Sequence, residues 1–397
     1  MISAEVSLGD FYPIRGESVD PSRYKDETFE LFSIPAYDRG EVDELSGSEI
    51  GSSKKLFYPN DVLLSRIVPH IRRCWIVPKS KRLRQIGSGE WIVFRSQNLY
   101  PGYLRYYLLS DLFNSKFMST VKGIGGSLLR ADPKQVSKFK IPLPPLEEQK
   151  KIAAILDAAD ELRQKDKALI TKYDDLTESL FLDMFGGANK SRPSWAEKSI
   201  MSIAKSTKGS MRTGPFGSDL LHSEFVDAGI PVLGIDNVVQ NRFTWKVRRY
   251  ISTQKYEKLK RYTVFPNDVL ISIMGTIGKV AVVPGDIGVA INTKHLAALT
   301  FNQEVVKPDF IAFSLRKDPH ILSQIMRSGR GAIMTGLNLT IIKNLKLKLP
   351  PLALQKEFTD FATNIESQKA TAQKSHNQSE SLFKSLLQKA FKGELSN

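Results

Sequence analysis

The stretch LPPLEEQKKIAAILDAADELRQK occupies residues 143–165, and LPPLALQKEFTDFATNIESQK occupies residues 349–369. The two openings lie 206 residues apart, and the same shift aligns far more than the prolines. Leu339, Ile342, Leu345, Leu347 and Leu349 fall on Pro133, Val136, Phe139, Ile141 and Leu143. Upstream, FYPNDVLLS (57–65) matches VFPNDVLIS (264–272), and each is followed by an apolar run ending in Val-Pro, at Val77-Pro78 and Val283-Pro284. Downstream, Ser179, Leu180 and Phe185 fall on Ser385, Leu386 and Phe391. The chain is a tandem duplication of a unit of about 200 residues, a period far longer than the 20–50 residues of a solenoid.

Each unit reads as a globular block followed by one long helix. Pro144 and Pro145 end the preceding strand, and Glu147 and Glu148 then stand in the first helical turn, where carboxylates favour the positive end of the helix dipole. Apolar residues recur on a seven-residue frame: Ile152, Ala159, Tyr173 and Leu180 at one position, Ile155, Leu162, Leu169 and Leu176 at the other, interrupted at Asp166. The second copy gives Phe358, Phe361, Ile365, Ala372, Leu382 and Leu386 around a polar middle at Gln368, Ser375 and Ser379. A sustained two-position stripe predicts a coiled-coil seam. Residues 147–185 would make a rod of roughly 58 Å at about 1.5 Å per residue. The second rod is expected to pair with the first antiparallel, giving an intramolecular spacer with pseudo-two-fold symmetry.

Inside the blocks, short runs such as Asp61–Ile67, Ile230–Val239, Val269–Met274 and Lys279–Val283 are bounded by Pro, Gly, Asn and Asp and read as strands. Tyr103–Met118 and Asp309–Met326 read as helices. The expected fold class is α+β: two mixed α/β domains joined by two long antiparallel helices. The expected boundaries are residues 1–146 for the first domain, 147–190 for the central helix, 191–352 for the second domain and 353–397 for the distal helix.

The net charge of +15 divides as +5, −3, +12 and +1 over those four segments, so the basic excess belongs to the two globular blocks. Basic surface concentrated on domains is the footprint of a polyanion binder, because neutralising phosphates releases condensed counterions. Cys74 is the only cysteine, which excludes an intrachain disulfide and a cysteine-based zinc site. The amino terminus, MISAEVSLGD, lacks the order of a signal peptide and no apolar run is long enough for a membrane span, so a cytoplasmic location is expected.

Catalytic equipment is sparse. GTIGK at 275–279 is too short for a phosphate-binding loop, and the five histidines have no metal-ligand spacing. A nuclease-like Glu148-Gln149-Lys150 has Leu354-Gln355-Lys356 as its counterpart, and the loss of the carboxylate marks it as a helix start. The expectation is a chain with no catalytic and no metal-binding residues of its own.

The doubled Leu-Pro-Pro-Leu-x-x-Gln opening, together with TGPFGSDL (213–220) and GIPVLGIDNV (229–238), resembles the specificity (S) subunit of type I restriction-modification enzymes over essentially the whole chain. The resemblance implies two target recognition domains, each reading one half of a split, asymmetric DNA site, with the helix pair fixing the gap between halves. It implies double-stranded DNA, two modification (M) subunits carrying S-adenosylmethionine, and restriction (R) subunits using ATP and magnesium as partners, with no cofactor in this chain. The chain departs from the family pattern at Asn60-Asp61 and Asn267-Asp268, where Gly-Asp is frequent, at Ala353-Leu354 in place of Glu-Glu, and in the absence of a clear FGS segment from the first block. A stand-alone pseudo-dimeric DNA-binding regulator is the alternative with the same basic domains and helices, and a purely structural scaffold is a third class.

The candidate DNA contacts are basic residues in or beside loops and at strand ends. They are Lys54, Lys55, Arg66, Arg72, Arg73, Lys122 and Arg130 in the first domain. In the second they are Lys208, Arg212, Arg248, Arg249, Lys279, Lys294, Arg327 and Arg330.

Overall fold

A computed structural model of the chain describes residues 4–13, 17–80, 82–123, 129–186, 195–245, 248–328 and 337–395. They form two compact units, residues 1–168 with 372–397, and residues 169–371. Each unit holds one globular block with a half of each long helix.

In the first unit a mixed sheet contains the parallel pair Thr28–Phe32 and Arg84–Gly87, flanked by the antiparallel strands Asp43–Ser46 and Lys54–Phe57. A second, antiparallel sheet places Val62–Ser65 between Cys74–Ile76 and Trp91–Phe94. The second unit repeats this plan. Its parallel pair is Ile230–Leu233 with Ala290–Asn292, flanked by Tyr250–Ile251 and Thr263–Val264. Its antiparallel sheet places Val269–Ser272 between Val280–Val282 and Leu296–Leu299, with Met211–Thr213 added at the edge. The strands are shorter than the apolar runs that announce them.

The repeated Pro-Asn-Asp turn has the same cause in both units. Asn60 and Asn267 take left-handed backbone angles, φ 72° and 64°, which asparagine tolerates. Asp61 and Asp268 behind them are fully buried. Asp61 accepts two bonds from Arg95, at 2.6 and 2.7 Å, and one from the Tyr58 N–H at 2.9 Å. Asp268 takes its guanidinium from Arg212 instead and adds the Thr300 hydroxyl and the Phe265 N–H.

The two expected single helices are each a pair. Pro101–Leu109 and Asp111–Met118 break at Ser110, whose hydroxyl caps the second helix by accepting from the Phe113 N–H. Pro308–Lys317 and Pro319–Ser328 break at Asp318, since Pro319 has no N–H to continue the ladder.

The long helices run over Leu146–Phe185 and Leu352–Lys392. Gln149, one turn into the first, is buried and tied three ways: its amide donates to the carbonyls of Asn98 (3.1 Å) and Pro144 (2.9 Å), and its oxygen accepts from the Tyr100 N–H (2.8 Å). This explains the glutamine of the Leu-Pro-Pro-Leu-x-x-Gln pattern as an anchor of the helix start to its own domain.

The helices pair antiparallel within each unit. In the first unit Arg163 bonds Glu380 at 3.2 Å and lies over the Phe383 ring, while Asp166 accepts from Ser379 (2.7 Å) and Ser375 (3.2 Å). In the second unit Asp174 meets Lys369 and Phe181 packs on Phe358. The far ends dock on aromatic clusters: Phe391 on Tyr103 and Tyr107 in the first unit, Phe185 on Phe310 and Phe358 in the second.

The seam itself corrects half of the expected stripe. Ile152, Tyr173 and Leu180 in the central helix and Phe358, Ile365 and Leu386 in the distal one are buried or half-buried, as the frame requires. The second frame position is one residue further along. Ile155, Leu162, Leu169 and Leu176 are 40%, 46%, 40% and 51% exposed, and Phe361 and Leu382 are exposed as well. Their places in the seam are taken by Leu156, Arg163, Ile170 and Thr177, and by Ala362 and Phe383. Arg163 can occupy a seam position because Asp160 and Glu380 both pair with it.

Candidate nucleic-acid interface

The two antiparallel sheets are knitted at the same joint. The N–H of the residue after the Val62–Ser65 strand, Arg66, donates to the Glu90 carbonyl at 2.9 Å; in the second unit Ile273 donates to His295 at 2.9 Å. Around this joint the structure collects most of the basic side chains that form clusters.

In the first unit the Ala131 N–H donates to the Arg66 carbonyl at 2.8 Å, which brings the Arg130 segment alongside. The Glu90 carboxylate then accepts from the Arg130 Nε at 3.0 and 3.2 Å and lies 4.0 Å from the Arg66 Nε. Lys55 reaches the Trp91 carbonyl at 2.8 Å. Burial and, after it, the nearby Arg66 guanidinium hold the Lys55 ammonium below its ordinary range, against the pull of Glu90. Lys55, Arg66 and Arg130 thus surround a single carboxylate.

In the second unit Arg249 pairs with Asp236, and a Cβ on Gly234 would stand 2.3 Å from the Arg249 Nη2, so the guanidinium lies against the glycine and a side chain there would displace it. His295 lies near Lys294 and Arg249. Its imidazole is held below the usual histidine range, first by burial and then by those two cations. Lys279 closes the 273–278 loop, its N–H donating to the Ser272 hydroxyl at 2.8 Å. Gly214 of the TGPFGSDL stretch passes so close to Asn292 and Thr293 that a Cβ would be 2.1 Å from the Asn292 carbonyl oxygen. Arg248 lies over the ring of the exposed Trp245, 5.1 Å from its centroid.

Two expected contacts are interior residues. Arg73 is buried in a two-bond pair with Asp38, at 2.6 and 2.8 Å. Arg212 is buried against Asp268, and its remaining nitrogens donate to the carbonyls of Thr263 (2.7 Å) and Gly209 (3.1 Å) and to the Thr300 hydroxyl (3.0 Å). Both hold loops to strands and cannot present their charge to a groove. Lys54 folds back on Ser52, Arg72 ties to Asp111 and the Leu109 carbonyl, and Lys122 pairs with Asp132 at 3.0 Å. Lys208 and Arg327 are exposed, the latter in the last turn of the helix Pro319–Ser328. Arg330 lies outside the described residues. Sequence reasoning missed Glu90, Asp236 and His295, the residues that organise the clusters; their signal is only that each sits in or beside a turn, in GSGE, GID and NTKH, the first two of which contain glycine.

Among the described residues no group of three His, Cys, Asp or Glu side chains is placed to hold a metal ion, and no helix is long and apolar enough to cross a membrane. A duplicated mixed domain with a cationic cluster at the same joint in each copy has the construction of a protein that reads a polyanion.

The comparisons with known proteins identify which. The chain belongs to the type I restriction modification DNA specificity domain family, which matches it twice, over residues 3–172 and 194–380. It is 23% identical over 304 residues to the specificity subunit of the type I restriction enzyme MjaVIII of Methanocaldococcus jannaschii, covering 74% of this chain and 70% of that one. It is 25% identical over 281 residues to the EcoBI specificity subunit of Escherichia coli, covering 64% of this chain and 58% of that one. Among solved structures, a chain from a study of type I R-M assembly and conformational transition matches with TM-score 0.61 at 21% identity, over 98% of both chains. The S subunit from M. genitalium matches with TM-score 0.57 at 14% identity, over 98% of this chain and 96% of that one. These likenesses bear out the expected family and its fold of two mixed domains and a long helix pair. The family is one of DNA-recognition subunits without catalytic centres of their own.

Proposed function

We propose that this chain is the sequence-reading subunit of a type I restriction-modification complex, in which each globular domain reads one half of a bipartite asymmetric DNA site and the helix pair sets the gap. The observation that carries the reading is the joint shared by the two copies: one backbone arrangement bears Arg66 and Glu90 in the first and Ile273 and His295 in the second. A common scaffold with different side chains reads two different half-sites. Arg66, Arg130 and Lys55 are the contacts of the first domain; Arg249, Lys294, Lys279 and the Arg248–Trp245 pair are those of the second. Lys54, Arg72, Lys122, Lys208 and Arg327 supply backbone-phosphate contacts at the edges.

Two modification subunits dock on the helices and bring S-adenosylmethionine, and restriction subunits bring ATP and magnesium. Support for the docking comes from the stripe Ile155, Leu162, Leu169 and Leu176, a row of apolar side chains at seven-residue spacing that the intramolecular seam leaves uncovered. The complex works in the cytoplasm, where its DNA is.

The test is methylome mapping of a host carrying this chain and its modification subunit. Arg66→Ala should relax one position in one half of the methylated motif, at a cost of about 1–3 kcal/mol, and Lys294→Ala should act only on the other half. If neither substitution alters the motif, the assignment of the two clusters fails. Specific binding by the purified chain without modification subunits would favour the stand-alone regulator.

A further inference from the structure

The antiparallel sheet of the second unit carries two loops at one end. Met211–Thr213 and Val269–Ser272 each pair antiparallel with Leu296–Leu299, so both leave the sheet where residues 292–295 enter it. The first loop lies against that entering segment: Gly214 packs on Asn292 and Thr293, and Pro215 next to it is buried. The second is tied to it by the Ile273 N–H, which donates to the His295 carbonyl at 2.9 Å. Lys294, which is exposed, stands between the two attachments. Each loop then turns a large apolar side chain into water, Phe216 (47% exposed) and Met274 (40% exposed). Each of these is followed by a left-handed glycine, Gly217 (φ 56°) and Gly275 (φ 72°), which fixes it at the turn. The far ends are held as well: Asp219 accepts from Arg261 at 2.9 Å and from the Tyr262 hydroxyl at 3.2 Å, and the Lys279 N–H donates to the Ser272 hydroxyl. Two anchored apolar tips beside a lysine suit a ligand that offers apolar faces edged by negative charge, which a step between stacked bases does.

We infer that Phe216 and Met274 form an apolar wedge that enters a base step of the second half-site, with Lys294 on the adjoining phosphate. The inference rests on the DNA-reading function proposed above and deepens it: the second domain unstacks its DNA as well as reading it. The first domain has no such pair. Among the described residues its antiparallel sheet has no counterpart of the Met211–Thr213 strand. Ile67, which follows FYPNDVLLS at the same distance as Met274 follows VFPNDVLIS, is half-buried in a bridge to Arg130. The first half-site is therefore the internal control.

The experiment uses the full chain in complex with its modification subunits, on duplexes of the motif found by methylome mapping. Fluorescent bases that brighten when unstacked replace each adenine (2-aminopurine) and each cytosine (pyrrolocytosine) in turn, so every base pair of both half-sites is probed. The methylated adenines are left as they are. At saturating protein the wild type should brighten neighbouring probes at one step, in the half of the motif that Lys294→Ala alters. Phe216→Ala with Met274→Ala should abolish that signal and weaken binding to the motif duplex about tenfold, as the loss of a side chain stacked on a base does. Phe216→Trp should keep both. Melting temperatures should match the wild type, because the two side chains already face water. If the wild type binds the motif but brightens no such probe, or brightens one only in the other half, the wedge is refuted while DNA reading stands. The same holds if the double variant brightens the step as the wild type does, or sheds its modification subunits, which would assign the two side chains to a protein interface. If the wild type binds the motif duplex no better than an unrelated one, DNA reading itself falls, and this inference with it.

Discussion

Gln149 and Gln355 stand 206 residues apart and make the same three bonds. Gln355 donates to the carbonyls of Val305 (3.2 Å) and Pro350 (2.8 Å) and accepts from the Lys307 N–H (2.9 Å), just as Gln149 does with Asn98, Pro144 and Tyr100. Both amides are buried, so removing either leaves one N–H and two carbonyls without a partner. Gln149→Ala or Gln355→Ala should each cost about 1–3 kcal/mol of stability. Denaturant unfolding checks this, and a cost near zero would show that the glutamine does not anchor the helix start.

The buried node in the first unit makes a different prediction. Asp166 is held by the hydroxyls of Ser375 and Ser379, and Ser379 is also within 3.0 Å of the His376 carbonyl. Burying a carboxylate costs desolvation that neutral hydroxyls repay only in part, and the serines can turn to backbone carbonyls if it is gone. Asp166→Leu should therefore leave the pair as stable as before or more so, by up to about 2 kcal/mol, while removing a polar mark of register. A loss of stability in denaturant unfolding would contradict this.

The helix pair was legible in the sequence down to its first turn, and its seam only by half. The apolar period is seven residues in either frame, and period alone cannot choose between Leu162 and Arg163. Leucines on the outer face imitate a seam, while Arg163 looks like a surface residue until Glu380, 217 positions later, arrives to pair with it. The same limit applies to the site. Arg73 and Arg212 look like any basic residue beside a loop; their burial is decided by Asp38 and Asp268, which are 35 and 56 residues away. The left-handed asparagines of the Pro-Asn-Asp turns, whose cause is local, were legible; the distant arginines that pair with Asp61 and Asp268 were not.

The exposed stripe yields a separation of effects. Leu162→Glu with Leu169→Glu should abolish co-purification of the modification subunit, yet change the stability of the isolated chain by less than about 0.5 kcal/mol per site, because neither leucine enters the seam. Unimpaired co-purification would place the docking surface elsewhere.

Acid sensitivity follows from paired carboxylates in the first unit. Hydrogen bonds from Arg73 hold the Asp38 carboxyl below its ordinary range, and hydrogen bonds from Arg84 do the same for Glu27. A depressed folded-state pKa gives stability that is present above the unfolded values, about 3.9 and 4.3, and is lost as pH falls through the lower folded ones. The melting temperature should decline below about pH 4, and Asp38→Asn should flatten part of that decline. An identical pH profile for the variant would refute the assignment.

Cys74 offers a probe of native packing. Burial pushes its thiol up to about 12, so the reactive thiolate is scarce at neutral pH. Alkylation should be slow in the native chain and rapid once it is unfolded, and fast native labelling would contradict the packing of the first core.

The helix pair is proposed to set the gap between two half-sites, and lengthening it should lengthen that gap. Inserting seven residues into each long helix, in register, adds about 10 Å, or roughly 3 bp of DNA. Base-resolution methylome mapping should then show the two half-sites unchanged and the gap between them wider by about 3 bp. A methylated motif with the original gap would contradict the account.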